Sequence, residues 1–84
     1  MNITNDGKCL DLSNSTSKEI IDTNTYPNLH KFKGIETLIC RNCTGNSLRH
    51  IRIFPNLKKL DISGCHNLIS LPSKLNVKIL IAEG

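Results

Sequence analysis

The chain of 84 residues lacks tryptophan and has only one tyrosine and two phenylalanines. Its core must therefore be aliphatic, and leucine and isoleucine supply it with eleven residues each. The scarcity of aromatic rings also leaves few platforms on which single-stranded nucleic acid could stack. A chain of this length forms one domain, and folding buries only about 60–65% of the surface that the unfolded chain exposes.

Long runs of charge or of apolar residues are also missing. The net charge is +4, but the longest basic run is Lys58-Lys59, whereas nucleic-acid-binding domains gather their basic residues on one face or helix. The apolar stretch "VKILIA" is too short to span a membrane. The N-terminal "MNITNDGKCL" has neither the basic start nor the apolar run of a secretory signal. We therefore predict an intracellular, cytoplasmic protein without membrane contact, and we expect no nucleic-acid partner.

No motif of an enzyme is recognisable. Hydrolytic catalysis requires a nucleophile, a base and an orienting group within hydrogen-bond reach, but the three histidines are scattered and have no motif around them. No glycine-rich phosphate-binding loop is present. Asp11 and Asp61 fall at equivalent positions of the repeated spacing described below, where their side chains would point outward from predicted strands. Such a pair is more typical of a solvated face than of a catalytic pair. We predict a non-enzymatic protein without a cofactor.

The sequence does contain a recurring spacing of apolar residues. In "LKKLDISGCHNLISLP", Leu57, Leu60 and Ile62 are followed three residues later by Cys65. The same spacing recurs at Leu10, Leu12 and Ser15; at Ile35, Leu38, Cys40 and Cys43; and at Val77, Leu80 and Ala82. In addition, "YPNLHKF" at 26–32 resembles "FPNLKKL" at 54–60 in a shifted frame. Such periodicity is typical of architectures in which each unit buries its apolar face against its neighbours.

This spacing resembles the leucine-rich repeat, whose pattern begins L-x-x-L-x-L-x-x-N/C. The resemblance covers nearly the whole chain and is strongest over residues 35–82. It implies an α/β-type repeat solenoid: a short leucine-rich-repeat arc with parallel strands on its concave face and mostly irregular return segments. Residues 1–84 would form a single domain. Its units would be about 7–34, which is degenerate, then 35–56, 57–76 and a partial unit at 77–84.

Each x-L-x-L core would be a short strand, whose alternate residues face opposite ways. Leu60 and Ile62 would then point inward. Cys43 and Cys65 would occupy the turn position, where a small buried thiol can donate a weak hydrogen bond to the backbone of the adjacent coil. The final strand would have an open edge with Leu80 uncovered, together with Ala82.

Solenoids generally need about three repeats and end caps. This chain has two units that match the pattern well, one that matches poorly and one fragment, so three explanations of its short length remain open. The chain is a degraded or truncated member of a larger family, a small complete module, or a module that stacks against a partner. In the last case the partner is another protein or a second copy, which would self-associate through the open C-terminal edge.

In this family the outward strand residues bind partner proteins. Carried over by position, the predicted protein-binding residues are Thr37, Ile39, Arg41, Lys59, Asp61, Ser63, Ile79 and Ile81. Equivalent outward positions in the first and last units are Cys9, Asp11, Ser13 and Glu83. The resemblance thus implies a protein–protein interaction module, a remnant or fragment of a longer array, whose partner the sequence does not identify. Alternatively, Ile79 and Ile81 are edge residues that further repeats would cover.

Cys40-x-x-Cys43, with Cys65-His66 downstream, allows a different hypothesis. These four residues have the spacing of zinc ligands, and a metal would stabilise a chain this small. The alternative prediction is a small zinc-stabilised domain using Cys40, Cys43, Cys65 and His66. The repeat pattern instead explains the three cysteines as core and turn residues. A redox role is disfavoured because "TGNS" after Cys43 indicates a turn rather than a helix.

Overall fold

The computed structural model describes residues 2–69, 71–72 and 75–84. It is an α/β-type domain built on one sheet of five short strands with the spatial order β1-β2-β3-β4-β5. The strands are β1 (Asn2–Ile3), β2 (Cys9–Asp11), β3 (Thr37–Ile39), β4 (Lys59–Asp61) and β5 (Ile79–Ile81). β2 to β5 are parallel, which confirms the prediction of parallel strands, and β1 pairs antiparallel with β2. In the described part of the chain, no helix is long and apolar enough to cross a membrane.

The central leucines of the four parallel strands lie side by side. Leu10 is paired with Leu38, Leu38 with Leu60, and Leu60 with Leu80. The first three are completely buried, whereas Leu80 is 47% exposed. The predicted exposure of Leu80 and Ala82 is thereby confirmed. The buried apolar residues form one cluster: Leu10, Leu12, Ile20, Ile21, Leu29, Ile35, Leu38, Cys40, Cys43, Leu48, Ile51, Phe54, Leu57, Leu60 and Ile62.

Each parallel strand is followed by a residue with left-handed backbone geometry. These residues are Asn14 (φ 66°), Asn42 (φ 58°), Gly64 (φ 74°) and Gly84 (φ 80°). Asparagine and glycine are the residue types that tolerate this conformation best. The amides of Asn14, Asn42 and Gly64 donate to carbonyls of the next strand segment at 2.8–2.9 Å. The chain therefore makes the same kind of turn after each parallel strand. The turns after β2, β3 and β4 are each hydrogen-bonded to the segment that follows the next strand.

Two 3-10 helices lie in the segments that connect the strands. The first, η1 (Leu29–Lys31), precedes β3, and the second, η2 (Ile51–Ile53), precedes β4. Each is anchored by its first residue, since Leu29 and Ile51 are almost completely buried. The predicted irregular connections are confirmed except for these short helices.

The two edges of the sheet differ. β1 covers the free edge of β2 through a hairpin whose turn contains Gly7 in a left-handed conformation (φ 70°). The Asp6 carboxylate accepts hydrogen bonds from the Thr4 hydroxyl (2.6 Å) and the Lys8 amide (3.0 Å), which hold this turn. This strand is absent from our sequence prediction, because Asn2–Ile3 is too short and too polar to show a pattern. At the other edge, no described strand pairs with the outer side of β5.

Candidate functional site

The predicted binding residues lie on the sheet face opposite the buried leucines, which we call the outer face. Six of them are in the strands, and the register places Thr37, Lys59 and Ile79 in one row and Ile39, Asp61 and Ile81 in the next. Arg41 and Ser63 follow β3 and β4 at equivalent positions. The structure thus brings all eight predicted residues into one neighbourhood.

The exposure of these residues is uneven. The Arg41 side chain is 60% exposed and Ile79 is 52% exposed. Five residues are half-buried: Thr37, Ile39, Lys59, Ser63 and Ile81. Asp61 is only 2% exposed, so the prediction that it belongs to a solvated face is wrong.

Asp61 is buried because Arg41 and the following turn cover its carboxylate. The Arg41 Nε donates to Asp61 Oδ2 at 2.6 Å, and the Ser63 amide donates to Oδ1 at 3.0 Å. Burial alone would raise the pKa of Asp61, but the hydrogen bonds from Ser63 and Arg41 outweigh it and lower that pKa. In return, the hydrogen bond to Asp61 raises the pKa of Arg41. Asp61 therefore holds the guanidinium over the outer face and has little surface of its own for a partner.

Asp11 and Asp61 occupy equivalent positions but are not direct neighbours. Ile39 of β3 stands between them, paired on one side with Asp11 and on the other with Asp61. Asp11 accepts a hydrogen bond from the Ser13 amide at 2.8 Å, as Asp61 does from Ser63. The two carboxylates are thus separated by an apolar side chain and each caps its own turn, so the structure offers no acid–base pair here.

The cysteines at the turn position behave as the repeat pattern predicts. The Cys43 thiol donates to the carbonyl of Leu12 at 3.2 Å, and the Cys65 thiol donates to the carbonyl of Cys40 at 2.8 Å. Each thiol thus bonds the backbone of the neighbouring strand segment. The hydrogen bond with Cys43, followed by burial, raises the pKa of Cys40, and the same bond lowers the pKa of Cys43 to about 7. Because Cys43 is only 2% exposed, this thiol is shielded from reagents in solution.

The four residues of the zinc hypothesis are not assembled into a site. Cys40 and Cys43 are buried, Cys65 is half-buried and His66 is exposed. Among the residues that the structure describes, no group of three or more His, Cys, Asp or Glu side chains could hold a metal ion.

Sequence analysis missed two hollows at the β5 end of the domain. One, of about 190 Å³, lies where β5 begins and is lined by Leu57, Leu75 and Val77 among others. The other, of about 260 Å³, lies beyond β5 and is lined by Ile62, Leu68 and other residues. Each hollow is lined in part by a residue of the hydrophobic core, Leu57 in the first and Ile62 in the second.

Comparison with known proteins yields no relative, since no family model, no curated protein and no solved structure matches the chain. The candidate site therefore rests on the geometry of this chain alone.

Proposed function

We propose that the chain is a non-enzymatic protein–protein interaction module of leucine-rich-repeat type, a short solenoid that binds its partner on the outer face. Three regularities support the repeated architecture. The strands pair in register at intervals of 28, 22 and 20 residues. The left-handed residues and the thiol–carbonyl bonds recur at matching places in those intervals.

The observation that carries the binding proposal is the arrangement around Arg41. Its side chain is 60% exposed and is held by Asp61, which the sheet register places between the half-buried Ile39 and Ile81. Arginine has five N–H donors in a planar fork, so the donors that Asp61 does not use remain for a partner. Apolar groups beside a fixed arginine are typical of the centre of protein interfaces. The expected partner presents a carboxylate to Arg41 and apolar side chains to the isoleucines.

Affinity capture with the immobilised full chain tests this proposal. The test variant is Arg41→Gln, which removes the charge at this position and keeps an amide near Asp61. The matched control is Lys18→Gln, the same loss of charge at an exposed residue away from the strands. We expect proteins that wild type and control retain in equal amounts and that the test variant loses by about tenfold or more.

Thermal melts must show that all three proteins are folded under the capture conditions. Equal capture by the wild type and the outer-face variant would contradict the proposed binding face. Turnover of a small-molecule substrate that is lost in the same variant would contradict the non-enzymatic role.

A further inference from the structure

We propose that two copies of this chain pair antiparallel through β5, about a two-fold axis at Leu80, to form a closed dimer. This surface is the free edge of the sheet, the side of β5 with which no described strand pairs. It is distinct from the outer face, and the inference does not depend on the proposed partner. The sheet would then run continuously through both copies.

β5 exposes its central leucine, whereas the other parallel strands bury theirs. Leu80 is 47% exposed, whereas Leu10, Leu38 and Leu60 in the same row are fully buried. Ile79 is 52% exposed. One hollow is lined partly by residues that precede this strand, and the other partly by residues that follow it. Covering such surface is favourable roughly in proportion to the apolar area removed from water.

The backbone of β5 has hydrogen-bonding groups directed away from the sheet. The Ile79 amide donates to Lys58 and the Ile81 carbonyl accepts from Ile62, so these residues bond towards β4. Successive residues of a strand direct their groups to opposite edges, so the N–H and C=O of Leu80 face the free edge. In an antiparallel pair centred on Leu80, these two groups would bond reciprocally with those of Leu80 in the second copy.

The side chains of this strand suit pairing with themselves. Ile79-Leu80-Ile81 reads the same in both directions, so antiparallel pairing about Leu80 sets the two leucines opposite each other on one face. On the other face it sets Ile79 opposite Ile81 of the second copy. Cross-strand apolar pairs of this kind stabilise sheets.

The flanking charges favour the antiparallel over the parallel arrangement. Lys78 precedes the strand and Glu83 follows it, so antiparallel pairing brings the basic end of one strand beside the acidic end of the other. Lys78 already lies next to Lys58, to whose carbonyl its amide donates. A parallel second copy would add another lysine to this row, which like-charge repulsion disfavours.

The other free edge is a poorer partner for β5. β1 has only two residues, and its apolar contribution is Ile3, which is 38% exposed. Pairing of β5 with β1 of the next copy would be head-to-tail and would continue without closing. The symmetric pairing buries the exposed apolar side chains of β5 in both copies and ends at two.

Sedimentation equilibrium of the full chain over a range of concentrations tests the proposal, with circular dichroism to verify folding. We expect a monomer–dimer equilibrium in the wild type. Leu80→Lys places two like charges at the axis and should raise the dissociation constant by about two orders of magnitude. The matched control is Ile3→Lys, the same kind of change at an apolar residue that is 38% exposed and lies in β1, at the opposite edge of the sheet. It should leave the dimer unchanged.

A charge reversal tests the orientation without touching Leu80. Lys78→Glu alone should weaken the dimer by about tenfold, and the double variant Lys78→Glu with Glu83→Lys should restore it. The amide of Leu80 should also exchange its hydrogen more slowly as the dimer forms, and Arg41→Gln should not change the dissociation constant.

Three results would overturn the proposal. A wild type that is monomeric at every concentration has no such dimer. Species that grow beyond two copies indicate head-to-tail pairing, and a dimer that survives Leu80→Lys uses another surface.

Discussion

At the residue scale, Asp61 and Arg41 differ most from what their positions predicted. Alternation along a strand correctly placed both on the face opposite the leucines, but it did not show that one would cover the other. Arg41 follows β3 and reaches across to the neighbouring strand, where its Nε meets Asp61 at 2.6 Å. A contact between residues twenty positions apart depends on strand order and register, which only the assembled sheet supplies.

This pairing predicts a pH-dependent effect of Asp61→Asn. The folded-state pKa of Asp61 is lowered, so its ionised form stabilises the protein above the unfolded-state pKa of about 3.9. That contribution is lost as the pH falls through the folded-state value, because both states are then protonated. Urea denaturation should therefore show Asp61→Asn less stable than wild type at pH 7, with a difference that shrinks below pH 4.

Asp11→Asn is the control for that comparison. Asp11 accepts the equivalent bond from its own turn, at Ser13, but forms no ion pair within the described residues. Its substitution should cost less at pH 7. Equal effects of the two substitutions at pH 7 would show that the ion pair with Arg41 does not stabilise the fold.

At the scale of elements, two connecting segments meet more closely than their sequences suggest. Residues 15–18 and 44–47 run side by side, with amides of Thr44 and Asn46 donating to carbonyls of Ser15 and Lys18 at 3.0 Å. "TGNS" was identified as a turn, but nothing in it indicated this contact. Gly45 makes the approach feasible, because a Cβ there would lie 2.6 Å from the Ser17 carbonyl oxygen and 2.8 Å from that of Lys18.

Gly45→Ala should consequently destabilise the domain by about 1–3 kcal/mol, since backbone atoms rather than a flexible side chain would have to move. The matched control is Gly34→Ala, whose nearest neighbouring atom, the Gly7 carbonyl oxygen, would be at an ordinary 3.7 Å. That variant should stay within about 0.5 kcal/mol of wild type. Thermal melts of both would decide, and an unchanged melting temperature for Gly45→Ala would mean that the two segments are not packed as described.

The connecting segments also show that identical residues in two segments need not occupy equivalent positions in the structure. "YPNLHKF" and "FPNLKKL" share four identical residues, yet they occupy different places. Leu29 begins the helix η1, whereas Leu57 lies just before β4, and the counterpart of Leu29 is Ile51 at the start of η2. Because Leu29 and Ile51 each lie nine residues before the central leucine of the next strand, spacing from that leucine was the better guide.

At the scale of the whole molecule, the proposed solenoid should accept an additional unit. Duplicating residues 57–76 between Asn76 and Val77 keeps the interval between central leucines at 20 residues. If coils stack as proposed, the longer chain should melt cooperatively and be more stable than the parent, since each unit adds an interface with its neighbour. Denaturant titration of both proteins measures the difference.

An insertion of the same 20 residues in scrambled order is the control, and it should lower the melting temperature. The repeat proposal fails if the duplicated and scrambled insertions destabilise the chain equally. An architecture without repeated coils has no reason to distinguish the two.

The sequence by itself located the four parallel strands and their intervals through the spacing of its apolar residues, and its resemblance to the leucine-rich repeat implied their parallel order. It also determined the role of the cysteines, since a small thiol at a turn position has the neighbouring backbone as its nearest acceptor. Both conclusions need only local spacing and stacking of neighbours. The uncovered Leu80 followed from the same logic.

The tertiary structure decided what depends on contacts between distant segments. It buried Asp61 beneath Arg41 and left the zinc-like set of Cys40, Cys43, Cys65 and His66 unassembled. It also covered the first sheet edge with β1, whereas no strand among the described residues pairs with the outer side of β5. A cysteine spacing specifies which ligands are present, but not whether the folded chain arranges their side chains in a geometry that could hold a metal ion. Whether a carboxylate is exposed likewise depends on the strand that lies beside it.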